Sequence, residues 1–189
     1  METTDAVVGL GCRACGTTHP VDTVGHCPTC DGPLAVRFDL GDLTRDGLVA
    51  RDRRALARFA GLLPFSADRL DPLEAGDTPL LALDDLGEEL GVGSLAVKDE
   101  ARNPTGALAD RAATLSVAAA REVGASAVAL PSPGNGAQAV AASAARAGLD
   151  SHAFVPSRTP FVNKAMINVH GGEMTVVPGR FADALAAYE

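Results

Sequence analysis

From residue 93 onward, short apolar runs alternate with alanine-rich amphipathic stretches, and this alternation restricts the fold more than any other feature of the sequence. Each apolar run is followed by a loop and a helical pattern, with a repeat of about 23 residues. Strands joined in this way run parallel with right-handed crossovers. The runs VAL, AFV and TVV are apolar throughout, which is typical of a sheet covered on both faces. We therefore predict an α/β domain of three layers over residues 93–189.

The elements of this domain follow from the pattern. The predicted strands are Ser94–Lys98, Ala127–Leu130, His152–Val155 and Met174–Val177. The predicted helices are Ala107–Val123, Ala137–Ala147, Pro160–Val169 and Arg180–Tyr188. In parallel sheets the ligand site lies beyond the carboxyl ends of the strands, where the helices begin. Two polar loops occupy that position, Asp99–Asp110 and Pro131–Gly136.

Four cysteines lie near the start of the chain in the pattern C-x2-C-x11-C-x2-C, at Cys12, Cys15, Cys27 and Cys30. Two such knuckles supply four thiolates, the number that a tetrahedral structural Zn²⁺ requires. His19 and His26 could replace a thiolate, and a metal-free remnant is the alternative. Because disulfides are disfavoured in the cytosol, we predict a zinc ribbon within residues 1–38, with a final strand at Leu34–Phe38.

Residues 39–92 have the pattern of a connecting region. An apolar face followed by Pro64 predicts a helix that ends at the proline. An extended segment at Leu80–Leu83 and a short helix at Asp84–Leu90 follow. The apolar residues that would share the helix face are Leu56, Phe59, Ala60 and Leu63.

Charge and hydropathy exclude two classes of partner. The net charge is −8, from 24 acidic and 16 basic residues, and such a chain repels phosphate backbones. No apolar run reaches the length of about 18 residues that a transmembrane helix needs, and the start lacks the pattern of a secretory signal. We therefore expect a cytoplasmic protein without nucleic-acid or membrane partners. Only two of the basic residues are lysines, Lys98 and Lys164.

Four segments, in order along the chain, resemble the threonine synthases and related fold-type II pyridoxal-phosphate enzymes, which share the tryptophan synthase β-like fold. The cysteine ribbon is also similar to theirs. The resemblance implies pyridoxal phosphate as the cofactor, and the conversion of O-phosphohomoserine to threonine as the family reaction. The segments are EAGDTPL at 74–80, VKDEARNPTGALADRAA at 97–113, LPSPGNGAQAVAASAARAGL at 130–149, and the strand–helix–strand unit at 154–185.

The same resemblance implies roles for individual residues. Asn135 matches the asparagine that hydrogen-bonds the cofactor ring oxygen. Ser132 and Gly134 match the loop that receives the substrate carboxylate on backbone N–H groups, and Thr105 belongs to the motif before it. The residues alone leave an alternative open, an ordinary strand-to-helix turn in which Asn135 caps the helix.

One position departs from the family pattern in a way that affects the chemistry. Ala109 stands where the family has the lysine that bonds covalently to the cofactor. A methyl group can neither form an imine nor move a proton. Lys98 and Lys164 match family positions without that role. The chain alone is therefore expected to be inactive.

Length is the second departure. Family members are much longer than 189 residues, and the sequence has no glycine-rich loop for the cofactor phosphate, so we expect the large-domain portion to be absent. Three hypotheses follow. The chain is a truncated, impaired threonine synthase-like protein (a pseudoenzyme). Alternatively, it is a non-catalytic zinc-ribbon module that binds an amino acid, a small anion or a homologous partner chain, including a second copy of itself. The third possibility is one half of a split enzyme.

Overall fold

The computed structural model describes residues 1–41, 44, 49–70 and 73–189. They form two compact units, Met1–Leu70 and Asp71–Glu189. In the described part of the chain, no helix combines the length and the apolar character that crossing a bilayer demands.

The first unit contains a small antiparallel sheet, with Cys12 at the end of its first strand and the other three cysteines in the turns between strands. Its strands are β1 (Val7–Cys12), β2 (Thr18–His19) and β3 (Leu34–Phe38), in the order β2-β1-β3. Leu10 lies opposite His19 on one side and opposite Val36 on the other. The predicted strand at Leu34–Phe38 is confirmed, and the sheet holds the two cysteine knuckles close together.

The helix predicted before Pro64 is wrong in type. Residues Ala55–Leu62 form a 3-10 helix that is interrupted at Phe59, and a second 3-10 turn follows at Ala67–Arg69. Leu63 donates its N–H to the carbonyl of Ala60, three residues back. With three residues per turn, side chains at α-helical spacing no longer share one face. Gly61 and the following proline both disfavour a continuous α-helix here.

The second unit begins with a two-stranded antiparallel sheet. It consists of β4 (Leu80–Ala82) and β5 (Ala96–Lys98), with helix α1 (Asp84–Leu90) between them. The prediction that the strand at 94–98 joins the parallel sheet is therefore wrong. Gly91 takes a left-handed conformation that ends α1, and the N–H of Leu83 bonds to the carbonyl of Leu95, so that the chain folds back on β4.

The predicted parallel sheet is confirmed for the other three strands. These are β6 (Ala127–Pro131), β7 (Asp150–Pro156) and β8 (Glu173–Val177), in sequential order. The connections run through helices, as the alternation predicted. The helices are α2 (Ala109–Glu122), α3 (Asn135–Ala147), α4 (Phe161–Val169) and, after β8, α5 (Phe181–Tyr188).

Alternate side chains of β7 face opposite layers of this unit. Ala153 and Val155 are buried in a cluster with Ile167 of α4 and the alanines of α3. On the other face, the ring of Phe154 contacts Tyr188 of α5, with ring centroids 6.0 Å apart. The core is built of small residues, which lets α3 lie close to the strands and fixes the position of its first turn.

Candidate functional site

Of the two loops singled out from the sequence, Pro131–Gly136 lies at the carboxyl edge of the parallel sheet, directly after β6, whereas Asp99–Asp110 follows β5 of the two-stranded sheet. The loop after β6 is tied to β7, because the N–H of Ser132 donates to the carbonyl of Phe154 over 3.0 Å. The Ser132 hydroxyl is buried and accepts hydrogen bonds from the N–H groups of Ala137, at 3.0 Å, and Gly134, at 3.4 Å. Ser132 thus shapes the start of α3 from the strand before it.

Asn135 does not cap α3, as the alternative from the sequence would have it. It is the first residue of the helix, its side chain is exposed, and Gly134 occupies the cap position. The Asn135 Oδ1 accepts a 2.8 Å hydrogen bond from Nδ2 of Asn163 on α4. Sequence reasoning missed Asn163, because nothing local marks a residue whose partner is 28 positions away.

The second loop is joined to the first through Thr105. Its N–H and hydroxyl donate to the buried carboxylate of Asp110, at 2.8 and 2.7 Å. Its carbonyl accepts from Nε2 of Gln138, in the first turns of α3, at 2.9 Å. These bonds join the start of α2 to the first turns of α3.

Ala109 is the first residue of α2 and is half-buried. It immediately precedes Asp110, so the bonds to Thr105 also fix its backbone. Both lysines of the chain are bonded elsewhere. Nζ of Lys98 donates to the carbonyl and hydroxyl of Thr78, and Nζ of Lys164 donates to the carbonyl of Ser157. Neither contact brings an amine to residue 109.

An ion pair between Glu100 and Arg111 stabilises the second loop, and the sequence analysis missed it. Arg111 binds both carboxylate oxygens of Glu100, from Nε at 2.7 Å and from Nη2 at 2.8 Å. Thr78 and Asn103 donate to the same carboxylate, at 2.6 and 2.8 Å. The hydrogen bonds from Arg111 are the main reason why the pKa of Glu100 lies far below its usual value. An acidic residue two positions after the end of β5 was the local signal.

Replacing Glu100 by Gln should destabilise the second unit at neutral pH. The variant loses the charge-assisted bonds and leaves the Arg111 guanidinium without its counter-ion, so we expect the thermal midpoint to fall by several degrees. Because the pKa of Glu100 is lowered on folding, its contribution is present above its unfolded value of about 4.3 and is lost as the pH falls below it. The difference between wild type and variant should therefore shrink below about pH 4.

Thermal denaturation followed by circular dichroism between pH 3 and pH 7 measures this difference. Glu89→Gln, at an exposed position on α1, is the matched control and should leave the midpoint unchanged. Equal midpoints for wild type and Glu100→Gln at pH 7 would show that the ion pair does not hold the loop.

The four cysteines form a cluster in the first unit that can hold a metal ion. Their sulfur atoms all lie within 4.8 Å of one another. The Cys12–Cys30 and Cys15–Cys27 sulfur atoms are 3.5 and 3.7 Å apart. Four sulfurs at about 2.3 Å from a tetrahedral Zn²⁺ would be about 3.8 Å apart, so the donor set and its spacing fit that ion.

The thiols oppose one another's deprotonation, and a bound cation would reduce this effect. Hydrogen bonding between Cys15 and Thr17 lowers the pKa of Cys15 to about 6. The interaction with Cys15 in turn raises the pKa of Cys30 to about 12. Packing four sulfurs together thus opposes the full deprotonation that metal binding requires, and a bound divalent cation would compensate for the repulsion.

The histidines lie outside the cluster of four ligands. Nε2 of His19 is 3.2 Å from the sulfur of Cys27, where it can donate a hydrogen bond to a thiolate. His26 contacts the exposed Asp31 at 3.2 Å. In the second unit, Nε2 of His152 pairs with the Thr175 hydroxyl at 2.8 Å. Nε2 of His170 is buried and has no hydrogen-bond partner among the described residues.

Comparison with known proteins assigns a family to most of the chain. Residues 72–189 match the model of the pyridoxal-phosphate dependent enzymes. Threonine synthase of Methanosarcina acetivorans is 34% identical over 180 residues, which is 94% of this chain and 44% of that protein. Threonine synthase of Methanocaldococcus jannaschii is 32% identical over 179 residues, or 92% of this chain and 44% of that protein. The chain thus spans less than half the length of these relatives.

A solved structure supports the same fold. The processed form of threonine deaminase isoform 2 from Solanum lycopersicum aligns with a TM-score of 0.55 at 25% identity, covering 62% of this chain and 33% of that one. The sequence resemblance and the α/β fold inferred from it are therefore confirmed.

Proposed function

Because this chain belongs to the pyridoxal-phosphate dependent enzymes, we propose that it provides a threonine synthase-like cofactor loop that binds its ligand without a covalent link. The observation that carries the proposal is Ala109 at the start of α2, held in place by the bonds between Asp110 and Thr105. The start of α2, where the family has its lysine, thus carries a methyl group.

The residues of the site fit the cofactor only in part. Asn135 is exposed and hydrogen-bonded to Asn163, and the loop shaped by Ser132 opens helix α3, an arrangement that favours negatively charged groups. Covalent attachment does not fit, since residue 109 has no amine and both lysines are bonded to Thr78 and Ser157. In a complete enzyme, pyridoxal phosphate supplies an electron sink for reactions at an amino acid carbon.

A site that can bind the cofactor but cannot attach it covalently implies impaired catalysis. The family lysine has two tasks, the covalent link and proton transfer, and Ala109 can perform neither. The residues of the site can still bind ligands and orient them. The N–H groups of Ser132 and Gly134 bond to the Phe154 carbonyl and the Ser132 hydroxyl, so these two residues would shape the loop beside a substrate carboxylate, and Asn135 would meet the oxygen on the cofactor ring. We propose an amino acid or a related small anion as the second ligand of the site.

Titration of the whole polypeptide with pyridoxal phosphate tests the proposal. We expect saturable binding that dialysis reverses, and borohydride treatment followed by peptide mass mapping should find no adduct on any lysine. Asn135→Ala should weaken the binding by about tenfold, the effect of a hydrogen bond to a charged group. Asn168→Ala, at an exposed position on α4, is the control and should bind like wild type.

Two results would contradict the proposal. A reduced adduct on Lys98 or Lys164 would show that another amine has taken over the covalent role. The absence of any saturable binding would show that the loop is no longer a cofactor site.

For the first unit we propose that Cys12, Cys15, Cys27 and Cys30 bind one structural Zn²⁺. Support comes from the number of thiol ligands, their mutual distances and the fact that two of them, Cys12 and Cys27, are buried. Four thiolates complete the coordination sphere and leave no position for a substrate, so the ion would stabilise the ribbon and take no part in the reaction.

A further inference from the structure

We propose that Asn163 is a positioning residue that orients the amide of Asn135 so that its NH₂ group is left for the ligand. The inference rests on the proposed function, because it concerns the same loop. Asn163 lies in the first turn of α4, whereas Asn135 begins α3, so the 2.8 Å hydrogen bond between them joins two separate helix starts at the carboxyl edge of the sheet.

The direction of this hydrogen bond determines what Asn135 can offer. An asparagine amide has an acceptor oxygen and a donor nitrogen of nearly equal shape, and its partners decide which end points where. Nδ2 of Asn163 donates to Oδ1 of Asn135. The acceptor end of Asn135 is therefore occupied, and its exposed donor end remains for a ligand acceptor such as an ionised ring oxygen.

The backbone beside Asn163 provides a second, independent observation. Gly134 has a φ of +158°, and a Cβ atom at that residue would lie 3.1 Å from both Cγ and Nδ2 of Asn163. The absence of a side chain at Gly134 leaves the space in which the amide of Asn163 fits. The glycine of the loop and the asparagine of the next helix thus fit each other.

Replacing Asn163 by a side chain that can only accept hydrogen bonds should reverse the orientation of the Asn135 amide. In Asn163→Asp, the carboxylate at residue 163 attracts the NH₂ group of Asn135 and repels its oxygen. Asn135 would then present an acceptor to the ring oxygen of the ligand, which is itself an acceptor. The variant has nearly the same volume, so the packing against Gly134 is kept.

The test compares two probes that share the phosphate and differ only in the ring hydroxyl. These are pyridoxal phosphate and its 3-deoxy analogue, titrated into the whole polypeptide. Asn163→Asp should weaken the binding of pyridoxal phosphate by about tenfold and the binding of the analogue by less than about twofold. The absorption band of the ionised hydroxypyridine should also decrease in the bound state. Asn168→Asp, which adds the same charge on α4, should leave both affinities unchanged.

The comparison separates positioning from other effects. Equal weakening of both probes would overturn the inference, because charge repulsion or a disordered loop acts on the phosphate they share. Unchanged binding of pyridoxal phosphate would overturn it as well.

Failure of the proposed function gives a different result, namely that wild type binds neither probe. The role of Asn163 is then decided by the side-chain amide resonances of Asn135 in ¹⁵N-labelled protein. They should shift in Asn163→Asp and stay in place in Asn168→Asp, and unshifted resonances in both variants would overturn the inference.

Discussion

Replacing Ala109 by Lys should convert reversible binding of pyridoxal phosphate into covalent binding. The substitution adds an amine at the first residue of α2, which Asp110 and Thr105 already hold beside the cofactor loop. An amine condenses with the aldehyde of the cofactor and releases water. After borohydride reduction, peptide mapping should find about one adduct per chain at residue 109, against none in wild type. Binding should also outlast dialysis.

The control for this experiment separates site chemistry from the general reactivity of an added lysine. Ala112→Lys places the same amine on α2 three residues further along the helix, close to a full turn away from residue 109. It should give no more adduct than wild type. If the variants at residues 109 and 112 reacted equally, the loops would have no preference for the cofactor, and the proposed function would fail.

Replacing Cys27 by Ser should remove the metal ion and unfold the ribbon. Cys27 is buried and its sulfur is one of the four clustered ligand atoms, so the substitution removes a thiolate from the ligand set and leaves a hydroxyl in its place. The metal content should fall from about one Zn²⁺ per chain to none. Amides of β1 and β3 should lose their protection from hydrogen exchange, because a small metal domain gains most of its folding free energy from the ion.

His26→Ala is the matched control for the ribbon. His26 lies next to Cys27 in sequence, but its side chain pairs with Asp31 on the surface. The variant should keep its zinc and its exchange protection. Zinc retained at about one per chain in Cys27→Ser would mean that three thiolates and another donor suffice, and the four-cysteine proposal would be wrong.

The sequence predicted those features whose signal is local. The cysteine spacing indicated a metal cluster, and apolar runs alternating with helical stretches indicated the parallel strands β6, β7 and β8. Each of these patterns is contained within a few dozen residues. The α-helix before Pro64 was wrong, because Gly61 and the interruption at Phe59 outweigh a periodic apolar pattern in a short segment.

The contacts that shape the candidate site could not be predicted in the same way. Glu100 meets Arg111 and Thr78, which lie 11 and 22 residues away, and Asn163 meets Asn135 across 28 residues. Such pairs depend on which helix starts the sheet brings together. The strand at 94–98 shows the same limit, since its composition suits either sheet and only the reversal at Gly91 sends it to β4.

The sheet of β4 and β5 has a consequence for how the second unit opens. Leu80, Leu81 and Val97 are 68%, 46% and 43% exposed, so these strands gain little from burial and depend mainly on three pairs of facing residues. Two strands alone are marginally stable in water. Local unfolding should therefore begin here and separate Thr78 from Glu100 while β6–β8 stay folded. The start of α2 can therefore lose this support at the free-energy cost of opening β4 and β5, which is smaller than the cost of unfolding the whole unit.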